Sequence, residues 1–140
     1  MRRLTGFMFA AAAALALSPG ALADNLAGAD RLLCSAGRVT ACWDSDECYV
    51  GSPSELNVPQ FIEIDLAARR VSTTKASGES RQTTVPAVRR EEGRIVLQGY
   101  ENGRAFSIVM DEETGDLVAS VATRTVGVTV FGACTPVPAK

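Results

Sequence analysis

Four cysteines are the residues whose type and spacing most directly predict chemistry in this sequence of 140 residues. They are Cys34, Cys42, Cys48 and Cys134, and they allow three pairings into two disulfides. We favour Cys42–Cys48, which closes a short turn, and Cys34–Cys134, which joins the first strand to the last. No Cys-x-x-Cys pair is present and the intervals match no zinc ribbon, so redox and zinc chemistry are disfavoured.

The absence of histidine limits the catalytic chemistry of the chain. Serine or cysteine nucleophiles activated by histidine are excluded, and so are histidine-ligated metals. A pair of carboxylates can still hydrolyse glycosides. The acidic residues available for such a pair are Glu63, Asp65, Glu91, Glu92, Glu101, Asp111 and Glu112. Most of them lie at predicted turns, where carboxylates are usually solvated, so we expect no catalytic residue and no cofactor.

Two acidic clusters resemble calcium loops without matching one. In the first, Asp44, Asp46 and Glu55 occupy positions 1, 3 and 12 of an EF-hand loop, but Tyr49 stands where that loop needs glycine. The second, over residues 111–116, has the composition of an ordinary turn. The sequence therefore predicts no metal site, with Asp44, Asp46 and Glu55 as the calcium candidates.

Aromatic and basic side chains supply candidates for a partner-binding surface. Trp43 and Tyr49 are close in sequence and, with Phe61, form a candidate aromatic surface; the alternative is that Trp43 packs over a disulfide or plugs the end of the barrel. Residues 69–104 carry eight basic and four acidic residues, whereas residues 24–68 carry two and eight. The basic candidates are Arg69, Arg70, Arg89 and Arg90. The alternative is that these charges are solvated strand faces and turns.

The first 23 residues have the pattern of a secretory signal peptide. Arg2 and Arg3 form a positive start, residues 4–17 are apolar, and Ala21-Leu22-Ala23 is a small-x-small cleavage site. The alternative is a retained membrane anchor, but the apolar run is shorter than the roughly 20 residues of a membrane-spanning helix. We expect Sec export, cleavage after Ala23, a periplasmic or secreted location, and no stable membrane insertion after cleavage.

Residues 24–140 have the length of a single domain. Without Arg2 and Arg3 the chain keeps 12 basic against 16 acidic residues, a formal charge of −4. Nucleic-acid binding requires a basic excess, so we expect no nucleic-acid partner. An envelope or extracellular protein remains as a partner, and no pattern indicates an oligomeric state.

Short alternating segments separated by turn residues predict an all-β fold. Ile62, Ile64 and Leu66 alternate with two acidic residues, which indicates a strand with one buried face. Asn102-Gly103 is typical of a two-residue hairpin turn. We predict strands over residues 61–66, 71–75, 82–90, 94–100, 104–111, 116–125 and 126–131, with a further strand within 32–43.

This order predicts an antiparallel meander of seven to eight strands over residues 61–134, preceded by a less regular part over residues 24–60. Because an open edge strand recruits other chains, we expect the meander to close into a small disulfide-stapled barrel, with a β-sandwich as the alternative. A barrel of about eight strands is filled by side chains or holds one small ligand. In the N-terminal part, Ser52 and Glu55 have the spacing of a capping box, which predicts about one turn of helix before Pro59.

Several short runs of this sequence together resemble segments of uncharacterised small secreted proteins of proteobacteria. These runs are residues 93–99, 102–107, 113–115 and 131–136, and the resemblance covers about residues 61–136. Those proteins have no established activity, so the resemblance implies none. A small exported barrel whose ends are joined by a cystine is also similar to periplasmic lysozyme inhibitors. Their Ser-x-x-Gly-x-x-Tyr loop pattern does not occur in this sequence, so that similarity implies an architecture and no activity.

Together these patterns predict a non-enzymatic exported protein that is binding or inhibitor-like and presents the loops of a small barrel to a protein or a small ligand. The alternatives are a structural accessory subunit of an envelope complex and a carboxylate-pair hydrolase. An apolar cavity would favour a ligand-binding protein. Two carboxyl groups about 5 to 10 Å apart in a cleft would favour a hydrolase, and a large exposed apolar patch would favour a subunit.

Overall fold

The computed structural model describes residues 25–44 and 47–138. The predicted signal peptide, residues 1–23, lies outside this part of the chain. The described residues are nearly all β-structure, with one 3₁₀ turn at Lys75–Ser77. The predicted all-β fold is therefore confirmed.

Ten strands alternate with short turns in the described residues. They are β1 (Arg31–Trp43), β2 (Cys48–Gly51), β3 (Phe61–Asp65), β4 (Arg70–Thr73), β5 (Gln82–Thr84), β6 (Ala87–Glu91), β7 (Arg94–Glu101), β8 (Arg104–Asp111), β9 (Asp116–Ala122) and β10 (Val126–Pro136). All pairings are antiparallel, and the strand order is β5-β4-β3-β1-β10-β9-β8-β7-β6, with β2 paired to β1 as well. The sheet curls into a half-barrel.

A β-bulge in β1 helps the sheet to curl. The register between β1 and β10 shifts between Ala36 and Arg38. Residues 31–35 of β1 pair with β3, whereas residues 39–42 pair with β2. Because a bulge bends its strand and increases the local twist, the two halves of β1 take different neighbours. Opposite the bulge, a Cβ at Gly132 would overlap the Ser35 carbonyl oxygen, so this close approach requires glycine.

Both favoured disulfides are present. Cys34 and Cys134 are register partners on β1 and β10, with Cα atoms 4.0 Å apart. Cys42 and Cys48 are partners on β1 and β2, with Cα atoms 4.1 Å apart. The first disulfide thus joins the first strand in the sequence to the last, which is its neighbour in the sheet, and the second joins β1 to its short hairpin partner.

The predicted hairpin between β7 and β8 is confirmed. Asn102 and Gly103 have φ angles of 50° and 76°, which is the positive region that a two-residue hairpin turn requires. The predicted alternation in β3 is confirmed as well, since Ile64 is buried and Glu63 is exposed. Local patterns therefore predict the strands and turns of this region correctly.

Residues 61–136 form eight strands, β3 to β10, within a sheet of ten, but they are not one continuous meander because β1 lies between β3 and β10; the closed barrel is not confirmed. Pro86 divides the expected strand 82–90 into β5, which pairs with β4, and β6, which pairs with β7. Proline has no N–H for a sheet ladder, and the preceding Val85 N–H bonds instead to the Arg69 carbonyl at 2.8 Å. The strands belong to one sheet, so the alternative of a two-sheet sandwich is wrong.

The N-terminal segment covers one end of the half-barrel. Leu26 is fully buried, and its N–H donates to the Glu112 carbonyl at 2.7 Å. The Arg90 guanidinium donates to the Ala29 carbonyl and to the Glu112 carboxylate, the latter at 2.6 Å. Leu26 belongs to the same buried cluster as Leu32 of β1. This end is therefore closed, and the opposite end holds the candidate site.

Candidate functional site

The concave face of the half-barrel is lined by alternate residues of neighbouring strands. Val130, Ala119, Ile108, Leu97 and Val88 are successive register partners across β10, β9, β8, β7 and β6. Directly opposite residues of antiparallel strands lie on one face of a sheet. The row therefore runs across the inside of the half-barrel, and the residues between, such as Val118, lie on the convex face.

A cavity of about 250 Å³ opens on this concave face. Most of its walls are apolar side chains from β3, β4, β8, β9 and β10 and from the loop before β3. These include Val58, Pro59, Ile62, Val71, Phe106, Ile108, Leu117, Ala119, Val121 and Val130. Half-buried side chains such as Ala119 and Val121 line this space. The curled sheet thus leaves an apolar surface accessible on its inner side.

Polar side chains lie at the rim of the cavity. Glu101 and Arg104 are the register pair that closes the β7–β8 hairpin, and Asn102 lies in its turn. The Thr83 hydroxyl of β5 donates to the Glu101 carboxylate at 2.6 Å. Because β5 and β7 do not pair with each other, this hydrogen bond spans the separation between the two ends of the sheet.

A second cleft of about 430 Å³ continues outward from the cavity. Pro59, Ile62 and Val71 line both spaces, as do the rim residues Thr83, Glu101, Asn102 and Arg104. The second cleft adds mainly polar residues of β4, β5 and the segment between them. These are Ser72, Thr73, Ser80, Arg81 and Gln82. A ligand in the apolar cavity would therefore meet polar groups as it emerges between β5 and the β7–β8 hairpin.

The residues that line the cavity favour binding over acid–base chemistry. Glu101 is the one carboxylate among them and Arg104 the one cation. Hydrolysis of a glycoside by carboxylates requires two acids on either side of the bond. The cavity lining therefore does not supply the pair that the hydrolase alternative needs.

The calcium candidates do not form a cluster in the described part of the chain. Asp46 lies outside the described residues. Asp44 is exposed, and its N–H donates to the Thr125 carbonyl. In residues 25–44 and 47–138, no group of three or more histidine, cysteine or acidic side chains is arranged to hold a metal ion.

Glu55 has a local role instead. Its Oε2 accepts hydrogen bonds from the Ser52 hydroxyl and the Ser52 N–H, both at 2.6 Å. The Ser52 hydroxyl is the largest cause of the lowered pKa of Glu55, followed by the Ser52 N–H. The bond from the Ser52 N–H is one half of a capping box, but residues 53–57 form turns, so the predicted helix is wrong. Asn57, with a φ of 53°, leaves the helical conformation within the first turn.

The second acidic cluster is a turn held together by Asp111. Its Oδ1 accepts from the N–H groups of Thr114 and Glu113, each at 3.0 Å. These two bonds, with the Thr114 N–H first, lower the pKa of Asp111. The carboxylate is therefore used by the β8–β9 turn, in agreement with the sequence interpretation of an ordinary turn.

The structure brings two of the three aromatic candidates to one face. Tyr49 is the register partner of Ala41, and Trp43 lies two residues further along β1 on the same face. Trp43 is 43% exposed and Tyr49 48% exposed. Phe61 lies on the convex face, because it precedes the inward Ile62. Neither Trp43 nor Tyr49 lines the cavity.

Three of the four arginine candidates make contacts within the protein. Arg69 donates to the Pro86 carbonyl at 3.0 Å, and Arg70 pairs with Asp65 at 3.8 Å. Arg90 binds the N-terminal segment through Ala29 and pairs with Glu112. Arg89 is exposed and, being adjacent to Arg90 in β6, lies on the opposite face of that strand.

The alternation within β7 and β8 is the sequence signal that indicates the rim residues. Glu101 shares the face of Ile95 and Leu97, and Arg104 shares the face of Ile108 and Met110. Charged residues at inward positions therefore mark the end of the strands at which the interior meets solvent. Thr83 and Asn102 carry no comparable signal, because their position depends on how distant strands are arranged.

No helix in the described ranges, 25–44 and 47–138, is long and apolar enough to span a membrane. Comparison of the sequence with protein-family models gives no match, and comparison with curated proteins gives none either. The resemblances to small secreted proteobacterial proteins and to lysozyme inhibitors stay predictions. The function is therefore inferred from the half-barrel and its apolar cavity.

Proposed function

We propose that this protein is a non-enzymatic exported binding protein that holds a small, largely apolar ligand on the concave side of the half-barrel. The observation that carries the proposal is the apolar cavity of about 250 Å³ with a polar rim. Ligand sites are typically concave and apolar, with a few polar groups that fix orientation. The rim residues Thr83, Glu101, Asn102 and Arg104 supply those groups.

The driving force for binding is burial of apolar surface. Side chains of β8, β9 and β10 present methyl groups and the Phe106 ring to the cavity. Each square ångström of apolar surface removed from water contributes roughly 25 cal/mol. A ligand that fills the cavity buries its own apolar surface together with that of these walls, whereas a polar ligand would lose hydration without compensating hydrogen bonds.

Export is part of the proposal. The two disulfides, which leave no free cysteine among the described residues, fit an oxidising compartment. The signal-peptide pattern of residues 1–23 supplies the route. N-terminal sequencing of the protein recovered from the periplasm or medium should begin at Asp24, and an intact Met1 would contradict cleavage.

Binding is tested with N-phenyl-1-naphthylamine, a neutral apolar probe whose fluorescence rises when it leaves water. We expect a saturable rise with the wild-type protein. Ala119→Phe fills the cavity from β9 and should abolish the rise. Val118→Phe adds the same ring at the neighbouring position on the convex face, where Val118 is 40% exposed, and should leave the rise intact.

A second blocking variant guards against misfolding of the first. Val121→Trp fills the cavity nearer its rim, and both blocking variants are compared with the wild type by circular dichroism before titration. Retention of wild-type probe binding in both folded variants, or absence of binding to the wild type, would contradict the proposal.

A further inference from the structure

We propose that the ligand is an amphiphile with an anionic head group, which lies at Arg104 while the apolar body occupies the cavity. This inference rests on the proposed function and adds the chemical class of the ligand. The relevant observation is the different engagement of the two charged side chains at the rim. Glu101 accepts a hydrogen bond from Thr83, whereas Arg104 has no ion pair or side-chain hydrogen bond within the described residues.

The orientation of the ligand in the cavity follows from the side chains that line it. Beyond the rim, the cavity is bounded by apolar side chains such as Ile108, Leu117 and Val130. Moving a charged group into such surroundings without a partner is strongly unfavourable. The head group therefore stays at the rim, and the apolar body extends inward over β8 and β9.

The sign of the head group follows from which rim groups have free hydrogen-bonding capacity. A guanidinium has five N–H donors in a planar fork that fits a carboxylate or a phosphate. Arg104 directs none of these donors to a protein acceptor in the described residues, and it lines both the cavity and the outer cleft. Arg81, the other cation of the outer cleft, is paired with Glu79. Arg104 is therefore the cation available to a ligand.

Glu101 limits how strongly the site prefers an anionic head group. It is the register partner of Arg104, so its negative charge lies close to the same head group. Opposite charges on neighbouring strands partly offset each other, and the rim is in contact with solvent. We therefore expect a selectivity of about fivefold to tenfold for an anionic over a neutral head, the range of one partly exposed charge-assisted hydrogen bond.

The test is displacement of N-phenyl-1-naphthylamine by decanoate, decanol and decylamine at neutral pH, below the concentrations at which they form micelles. These compounds share an alkyl chain and differ in the charge of the head. For the wild type, decanoate should displace the probe at about fivefold to tenfold lower concentration than decanol, with decylamine the weakest. Decyl phosphate, run alongside, distinguishes a phosphate head from a carboxylate head.

Substitutions at the rim show which residue causes the preference for decanoate over decanol. Arg104→Gln should bring decanoate to the level of decanol and leave decanol unchanged. Glu101→Gln retains an acceptor for Thr83 and removes the negative charge, so it should strengthen decanoate binding. Arg89→Gln, which removes an exposed arginine from the outer face of β6, is the matched control and should change nothing.

The outcomes separate this inference from the proposed function. Equal displacement by decanoate and decanol, stronger displacement by decylamine, or an unchanged preference in Arg104→Gln would overturn the anionic head group while leaving the apolar site in place. Failure of the wild type to bind N-phenyl-1-naphthylamine would overturn the proposed function itself.

Discussion

The hydroxyl of Thr83 donates a 2.6 Å hydrogen bond to the carboxylate of Glu101, which joins two strands that are not neighbours in the sheet. Thr83 belongs to β5 and Glu101 to the end of β7. Two residues, Val85 and Pro86, separate β5 from β6, the two end strands of the sheet. The Thr83–Glu101 bond therefore links the end strand β5 to the β7–β8 hairpin at the rim.

Removal of the Thr83–Glu101 hydrogen bond should destabilise the protein at the rim. Thr83→Val keeps the shape of the side chain and removes the donor, so we expect the free energy of unfolding to fall by about 1 kcal/mol, typical of a partly exposed hydrogen bond to a charged group. Thr84→Val, on the adjacent exposed position of β5, is the control. Urea denaturation of both variants measures the difference, and equal stability of the two would refute the role of the bond.

The two disulfides should contribute unequally to stability. Cys34–Cys134 spans 100 residues and Cys42–Cys48 spans 6. On the chain-entropy account, these spans correspond to about 4.7 and about 2 kcal/mol. The paired substitutions to alanine, Cys34→Ala with Cys134→Ala and Cys42→Ala with Cys48→Ala, should therefore differ in midpoint of denaturation. A larger loss from the short loop would contradict this order.

The N-terminal segment should be required for a stable closed end. Leu26 is fully buried and belongs to the main core cluster. Leu26→Ala should lower the free energy of unfolding by about 2 to 5 kcal/mol, the range for a buried leucine. Leu33→Ala, at a half-buried position on the other face of β1, should have the smaller effect. Thermal denaturation followed by circular dichroism compares them.

Asp111 should make stability depend on pH at the acidic end. Hydrogen bonds from the Thr114 and Glu113 N–H groups lower its pKa from the ordinary value of 3.8. A lowered folded-state pKa stabilises the protein above the unfolded-state pKa, and this contribution is lost as the pH falls through the folded-state pKa. The Tm difference between wild type and Asp111→Ala should therefore be largest at neutral pH and decrease below pH 3.8.

Glu113→Ala is the control for this pH dependence, because it removes a neighbouring exposed carboxylate whose backbone N–H, rather than its side chain, takes part in the turn. Its Tm difference from the wild type should vary less with pH. A constant difference for Asp111→Ala across this range would show that the turn does not depend on ionised Asp111.

Local patterns in the sequence predict most strands because their causes are local. The alternation of Ile62 and Ile64 with acidic residues determines which face of β3 is buried, and Asn102-Gly103 allows the positive φ angles of its hairpin. The expected strand over residues 82–90 differs, because Pro86 cannot donate to a ladder and the chain changes partner there. Strand β2 lacks a pattern of its own and depends on pairing with β1.

The cavity depends on contacts between residues that are distant in sequence. Val71, Thr83, Ala119 and Val130 line the same space although they belong to four strands. Their proximity follows from the bulge in β1 and from the order in which β1 separates β10 from β3. Sequence patterns identify an interior face for each strand, but they do not specify whether that interior is filled or open.

Methyl-resolved NMR during titration with N-phenyl-1-naphthylamine is the most direct test of a ligand site on the concave face, because adjacent residues of one strand report on opposite sides of the sheet. Ring-current shifts should affect the methyl groups of Ile108, Ala119 and Val130, which line the cavity. Val109 and Val118, their neighbours on the convex face, should not shift. Shifts confined to Val109 and Val118, or no shifts at saturating probe, would contradict a ligand site on the concave face.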